Sequence, residues 1–123
     1  MKPNTTQIGN AAERVAENFY VRSGYQLVAR NFRCARGEID LILFHPHQSE
    51  LLIVEVKGRR TFDTDQAWLP RWHRKKARIH GALLWFLAQS PEWERRSSGT
   101  LFEIVYVTQG RVSERFVDEP FPG

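Results

Sequence analysis

Between Thr6 and Ser23 the apolar residues Ile8, Ala12, Val15 and Phe19 recur every three or four positions, and Ala11, Ala16 and Tyr20 widen the stripe. This spacing predicts an amphipathic helix. Thr5 or Thr6 can cap its start, and Gly24 suits its end. Tyr25 to Phe32 alternates in part and reads as a strand, followed by a basic connection from Arg33 to Gly37. Glu38 to Phe44 and Leu51 to Lys57 are rich in branched apolar residues and read as two strands, with His45-Pro46-His47-Gln48-Ser49-Glu50 as the turn between them. Gly58 to Pro70 reads as an irregular loop. Arg71 to Gln89 reads as a second helix, with Trp72, Ile79, Leu83 and Phe86 on one face. Ser90 to Thr100 reads as a polar loop, and Leu101 to Val107 and Arg111 to Val117 as strands about Thr108-Gln109-Gly110. The expected order is α-β-β-β-α-β with one extra strand.

The central hairpin carries the candidate chemistry. If Phe44 pairs with Leu51, opposed residue numbers sum to 95, so Asp40 falls opposite Glu55 and Glu38 opposite Lys57. Alternation then puts Glu38, Asp40, Ile42 and Phe44 on one face with Leu51, Ile53, Glu55 and Lys57. Ile39, Leu41, Leu43, Leu52, Val54 and Val56 form a wholly apolar second face. Opposed Cβ atoms lie about 4.5–5.5 Å apart, where two carboxylates repel unless a cation sits between them. Mg²⁺ (or Mn²⁺) suits such a pair, because Mg²⁺ takes one or two carboxylates and keeps several waters. The chemistry served is metal-assisted phosphodiester hydrolysis. Asp40 and Glu55 would hold the ion, and Lys57 would position a water or offset charge on the phosphate. Glu38 could ligate through water or pair with Lys57. The rival reading is a set of cross-strand salt bridges, each worth a fraction of a kcal/mol.

Charge sharpens the picture. The chain of 123 residues carries +4, with an isoelectric point near 9.6. Lys57 to His80 alone holds eight basic residues against two acids, so the excess is local. Arg59, Arg60, Arg71, Arg74, Lys75, Lys76 and Arg78 are candidate phosphate contacts, with Arg33 in a smaller cluster alongside Arg30 and Arg36. A solvated basic helix is the alternative. Trp68 and Trp72 could stack on bases, though Trp72 lies on the apolar stripe and reads better as core. One cysteine, Cys34, excludes an internal disulfide framework and reads as an ordinary thiol. His45 and His47 share a turn with no further ligand nearby. His73 and His80 are about 10 Å apart along a helix, too far to share an ion. Apolar runs are too short to span a membrane, the start lacks a signal core, and a cytoplasmic location is expected.

Arg30-Asn31-Phe32-Arg33, Gly37-Glu38-Ile39-Asp40-Leu41-Ile42 and Val54-Glu55-Val56-Lys57-Gly58-Arg59 together strongly resemble the YraN-like family of small bacterial proteins. The resemblance covers about residues 8 to 107. It implies a single restriction-endonuclease-like domain over residues 1–123 (core about 6–117), an α/β fold with a mixed central sheet flanked by helices. This architecture is similar to Holliday-junction resolvases and to transfer-RNA-splicing endonucleases. By position it implies a catalytic trio of Asp40, Glu55 and Lys57 with Glu38 beside them, and Glu13 as an added acidic residue of the metal cluster. Three departures stand out: Ala12 replaces a usual Gly, Glu103 a usual Asp, and residues 60–66 lack the family's Phe-Gly.

These readings converge on a metal-dependent endonuclease acting on nucleic acid, with structured DNA favoured because one small domain holds no obvious base-reading module. Resolvases of this fold work as dimers, so a homodimer is an implied arrangement. The rivals are a nucleic-acid-binding module that keeps the fold without turnover, and a scaffold whose acids are salt-bridged.

Overall fold

The computed structural model describes residues 5–58 and 68–118, with side chains over residues 11–58 and 72–117. Its elements run α1 (Thr5–Arg22), β1 (Gln26–Cys34), β2 (Gly37–His45), β3 (Glu50–Lys57), α2 (Trp68–Gln89), α3 (Pro91–Arg96), β4 (Gly99–Thr108) and β5 (Arg111–Asp118). The five strands form one mixed sheet in sequence order. Only β3 and β4 run parallel, with α2 and α3 inserted between them.

Each face of the sheet is covered. Ala12, Ala16 and Tyr20 of α1 pack on Leu41, Leu43, Leu52, Val54, Val105 and Val107. Two alanines among the buried α1 positions let the helix lie close to the strands. Ile79, Ala82, Leu83 and Phe86 of α2 pack on Ile39, Ile42, Phe44, Leu51, Ile53 and Phe102, and the partly buried Trp72 packs against this cluster, its ring tilted on that of Phe102 at 5.6 Å. Fully burying each such Leu, Ile or Phe contributes about 1.5–3 kcal/mol. Among the described residues no helix is long and apolar enough to cross a membrane.

Local chemistry ends the elements. Gly24, at φ +99°, closes α1: its N–H donates to Val21 O and that of Tyr25 to Tyr20 O, the paired bonds of a Schellman motif. Gln109 and Gly110 both take positive φ in the two-residue β4–β5 turn, the geometry that matches strand twist. Gly37 permits a close helix crossing, since a Cβ there would stand 2.5 Å from Arg78 O.

Three expectations about elements change. Trp68 to Pro70 belong to α2 rather than to the preceding loop, of which residues 59–67 lie outside the described residues. Arg33 and Cys34 extend β1 into what reads as a connection. The stretch after Ser90 contains a six-residue helix with Pro91 first, acids in its first turn and Arg95 and Arg96 in its last. That charge order suits the helix dipole. Trp93 anchors it on Phe44 at 5.3 Å, and one apolar side chain in six gives no period to read.

Candidate active site

The assumed hairpin register holds from Phe44↔Leu51 to Leu41↔Val54, where the paired residues end. Beyond that point β2 stays with β1, down to Cys34↔Gly37, while β3 continues along β4 to Lys57↔Tyr106. The two central strands therefore part at the end where the acids lie. Asp40 is not paired across from Glu55. Its Oδ2 instead accepts the Val56 N–H at 2.8 Å, so a carboxylate takes the place of a strand carbonyl.

A matched irregularity in β1 and β2 makes this possible. Asn31 sits at φ +51° inside a strand, a conformation that Asn tolerates better than most residues. Around it Ala29 and Phe32, three apart, join one core cluster, and so do their partners Ile42 and Ile39. Leu41 packs on the opposite face. The alternation that put Ile39 beside Leu41 is thus broken at Asp40, and the carboxylate lies in the gap between β2 and β3, within reach of both helices.

From α1 comes Glu13, whose carboxyl shares a pocket with Asn31 and lies near enough to Asp40 to feel it. Burial lifts its proton affinity above the ordinary glutamate value, with Glu55 and Glu38 adding to the push. Asp40 is pushed up to about 7, first by burial and then by Glu55 and Glu13, against the pull of the Val56 N–H and Lys75. From β3, Glu55 is only 4% exposed. Its Oε1 meets Lys75 Nζ at 2.5 Å and Lys57 Nζ at 3.5 Å. Burial lowers the Lys57 proton affinity, and the adjoining Lys75 lowers it further. Lys75 is itself partly desolvated, yet Glu55 and Asp40 raise its affinity.

The structure thus gathers Asp40, Glu55, Lys57 and Glu13 at the parted end of the sheet. Glu38 stands at the rim: it pairs with Arg33 at 3.2 Å rather than with Lys57, and shares a groove with Arg74, Lys75, Arg78 and Ile79. Arg33 is accordingly engaged with a carboxylate, as Arg30 is with Glu17 at 2.9 Å. Lys76 lies over the Phe102 ring. Arg59 and Arg60 lie outside the described residues, as does the side chain of Arg71. Arg74 and Arg78 are exposed.

Two site residues escaped the sequence reading. Composition groups Lys75 with the phosphate contacts, but it falls between Trp72 and Ile79 along the apolar stripe of α2 and reaches Glu55. A lysine interrupting an apolar stripe was the available signal. Asn31 enters the sequence pattern only as part of Arg30-Asn31-Phe32-Arg33, and its signal is an Asn inside a strand, where that residue is depleted.

Among the described residues no three His, Cys, Asp or Glu side chains are gathered as ligands for one ion. The donor chemistry nevertheless fits a hard divalent cation. The buried Glu55 and the half-buried Asp40 repel each other, and the protein already sets a cation, the Lys75 ammonium, against Glu55. Mg²⁺ needs no more than one or two such ligands.

The sequence model described as "Uncharacterised protein family UPF0102" matches residues 12–107. A UPF0102 protein of Desulfosudis oleivorans is 37% identical over 105 residues, 85% of this chain and 80% of the other. One of Roseiflexus castenholzii is 38% identical over 88 residues, 72% and 69% of the two chains. One of Pelobacter propionicus is 28% identical over 120 residues, 98% and 86%. The chain belongs to the UPF0102 family, the YraN-like family that its motifs resemble.

Proposed function

We propose that this member of the UPF0102 family is a divalent-metal-dependent endonuclease of restriction-endonuclease-like architecture, hydrolysing phosphodiester bonds in structured DNA. The observation that carries the reading is the convergence of Asp40, Glu55 and Lys57 where β2 and β3 part, with Glu13 and Lys75 closing on them from either helix. Asp40 and Glu55 would hold Mg²⁺ or Mn²⁺. A bound ion of this kind polarises a phosphoryl oxygen and acidifies a water. The Val56 N–H fixes the Asp40 carboxylate, leaving Oδ1 for the ion. Lys57, whose proton is loosened by burial, orients the attacking water and meets charge that grows on the phosphate. Lys75 holds Glu55 in place and keeps the acid cluster tolerable before an ion arrives. The exposed Arg74 and Arg78 of α2 supply non-sequence-reading affinity for phosphates.

A second reading, a binding module that keeps this fold without turnover, draws on the Lys75–Glu55 contact and on the want of a third gathered ligand among the described residues. Cleavage separates the two. Wild type and Lys57→Ala are compared on branched, nicked and plain DNA with Mg²⁺ and Mn²⁺. Cleavage slowed about 10²–10³-fold in the variant, with Mn²⁺ and DNA binding nearly unchanged, supports the nuclease. A wild type that binds these DNAs but cuts none of them with either ion favours the module.

A further inference from the structure

We propose that the outer face of α2 is a track for a single-stranded nucleic-acid segment, running from the acidic site to Trp85, on which an unpaired base stacks. The proposal rests on the nucleic-acid reading above and adds the class of substrate: DNA with a single-stranded arm beside the scissile bond. Arg74, Arg78 and Trp85 are spaced by four and seven residues. They therefore lie within about 40° of one another around the helix and span about 16 Å along it. Trp85 is 45% exposed and its neighbour Leu84 55%, although both are large apolar side chains on an otherwise basic helix. Gly81 falls on the same line. The Arg36 side chain crosses there, 3.3 Å from where a Gly81 Cβ would stand, so the β1–β2 turn adds a third guanidinium.

Arg36, Arg74 and Arg78 form no ion pair with any described residue. At the near end a groove of 450 Å³ lined by Glu38, Arg74, Lys75, Arg78 and Ile79 joins this row to Lys75, and Lys75 touches Glu55. The row thus offers guanidinium groups for successive phosphates and ends on a half-exposed indole. A base inside a duplex, stacked on both sides, cannot present its face to that indole, whereas an unpaired one can.

The test is binding without cleavage, by fluorescence anisotropy in EDTA. It compares a blunt duplex with the same duplex carrying a single-stranded tail of about ten nucleotides. Wild type should prefer the tailed DNA. Trp85→Ala should weaken that complex about 5- to 150-fold, the range for one base–aromatic stack, and leave blunt-duplex affinity unchanged. Trp85→Phe should retain most of the preference. Arg78→Ala should flatten the log–log salt dependence for the tailed DNA by about 0.7. Equal wild-type affinity for both DNAs, or a Trp85→Ala loss common to both, overturns the track. So does a self-associating wild type that Trp85→Ala makes monomeric with DNA binding intact, since the patch then belongs to a protein contact. Absence of metal-dependent cleavage, with the tail preference still dependent on Trp85, would count against the nuclease reading and leave the track standing.

Discussion

Glu55 and Glu103 sit on adjacent parallel strands and are equally buried, each 4% exposed, yet they are held in opposite ways. Glu103 pairs across from Val54, so it faces α1, whereas Glu55 faces α2. One Glu103 oxygen accepts both the Tyr20 hydroxyl, at 2.9 Å, and Arg115 Nε. The guanidinium in turn lies over the rings of Phe19 and Tyr20, at 5.1 and 5.4 Å. Burial, then the charge of Glu103, holds the Tyr20 hydroxyl firmly protonated. This is one anion met by a buried tyrosine hydroxyl and by a guanidinium laid over two aromatic rings. Glu55 has two flexible lysines as partners and two further acids, Asp40 and Glu13, within electrostatic range. Burial alone therefore does not mark a site. Crowded like charges with exchangeable cations do, because that surplus is what a ligand can relieve.

The largest effect is expected on the Glu103 side. Arg115→Met keeps the aliphatic packing but leaves the buried Glu103 carboxylate with the Tyr20 hydroxyl as its remaining side-chain donor among the described residues. Arg115 is itself 41% exposed, but the carboxylate it would strand is buried, and leaving a buried charged acceptor short of a donor costs about 3 kcal/mol. Urea unfolding should register that loss, while Mn²⁺ binding and any cleavage stay as in the parent. An unchanged unfolding midpoint would mean that Arg115 does not hold Glu103, and the contrast between the two glutamates would collapse.

The same contrast explains what could be read beforehand. Hairpin register, the two long helices and the acid–lysine motif follow from alternation and helical spacing, which are local. Asp40 is where the reading fails. Strict alternation sets it across from Glu55, but Asn31 at positive φ turns the neighbouring strand and the β2–β3 pairing stops one residue earlier. Lys75 and Glu55 are 20 residues apart and meet through packing of α2 on the sheet, which no periodicity encodes. Arg115 is likewise drawn to Glu103 by the β4–β5 pairing and by aromatic faces contributed from α1. Small elements with one anchor, such as α3, are silent for the same reason.

A second prediction probes the crowding itself. Asp40 is pushed to about 7 in the folded protein, against about 3.9 for an unperturbed Asp. Between those values the folded state binds more protons than the unfolded one, so stability falls as pH rises from about 4 to 7. Glu13 is shifted the same way and adds to the fall. Asp40→Asn removes most of it and retains an oxygen to accept the Val56 N–H. The variant should be more stable than wild type at pH 8, by an amount on the order of 2 kcal/mol, and nearly equal to it at pH 4. Parallel pH profiles for the two proteins would show that Asp40 titrates as an ordinary surface acid and that the cluster is not under charge stress.

The smallest effect is expected at Glu55, and its smallness is the point. Glu55→Gln keeps the shape and one oxygen that can still accept from Lys75. The lysines lose their counter-charge, but their side chains are 44% and 32% exposed, so each ammonium can turn toward water while its stem stays packed. Asp40 and Glu13 meanwhile lose a repelling neighbour, which acts in the opposite direction. The two terms oppose each other, and the net change at pH 7 should stay within about 1 kcal/mol, the scale of partly exposed pairs. Mn²⁺ binding should nevertheless be lost, because half of the proposed ligand pair is gone. Urea unfolding together with an Mn²⁺ titration reads both quantities on one preparation. A loss near 3 kcal/mol, matching Arg115→Met, would make Glu55 a second structural ion pair like Glu103 and would remove the main support for a metal site between β2 and β3.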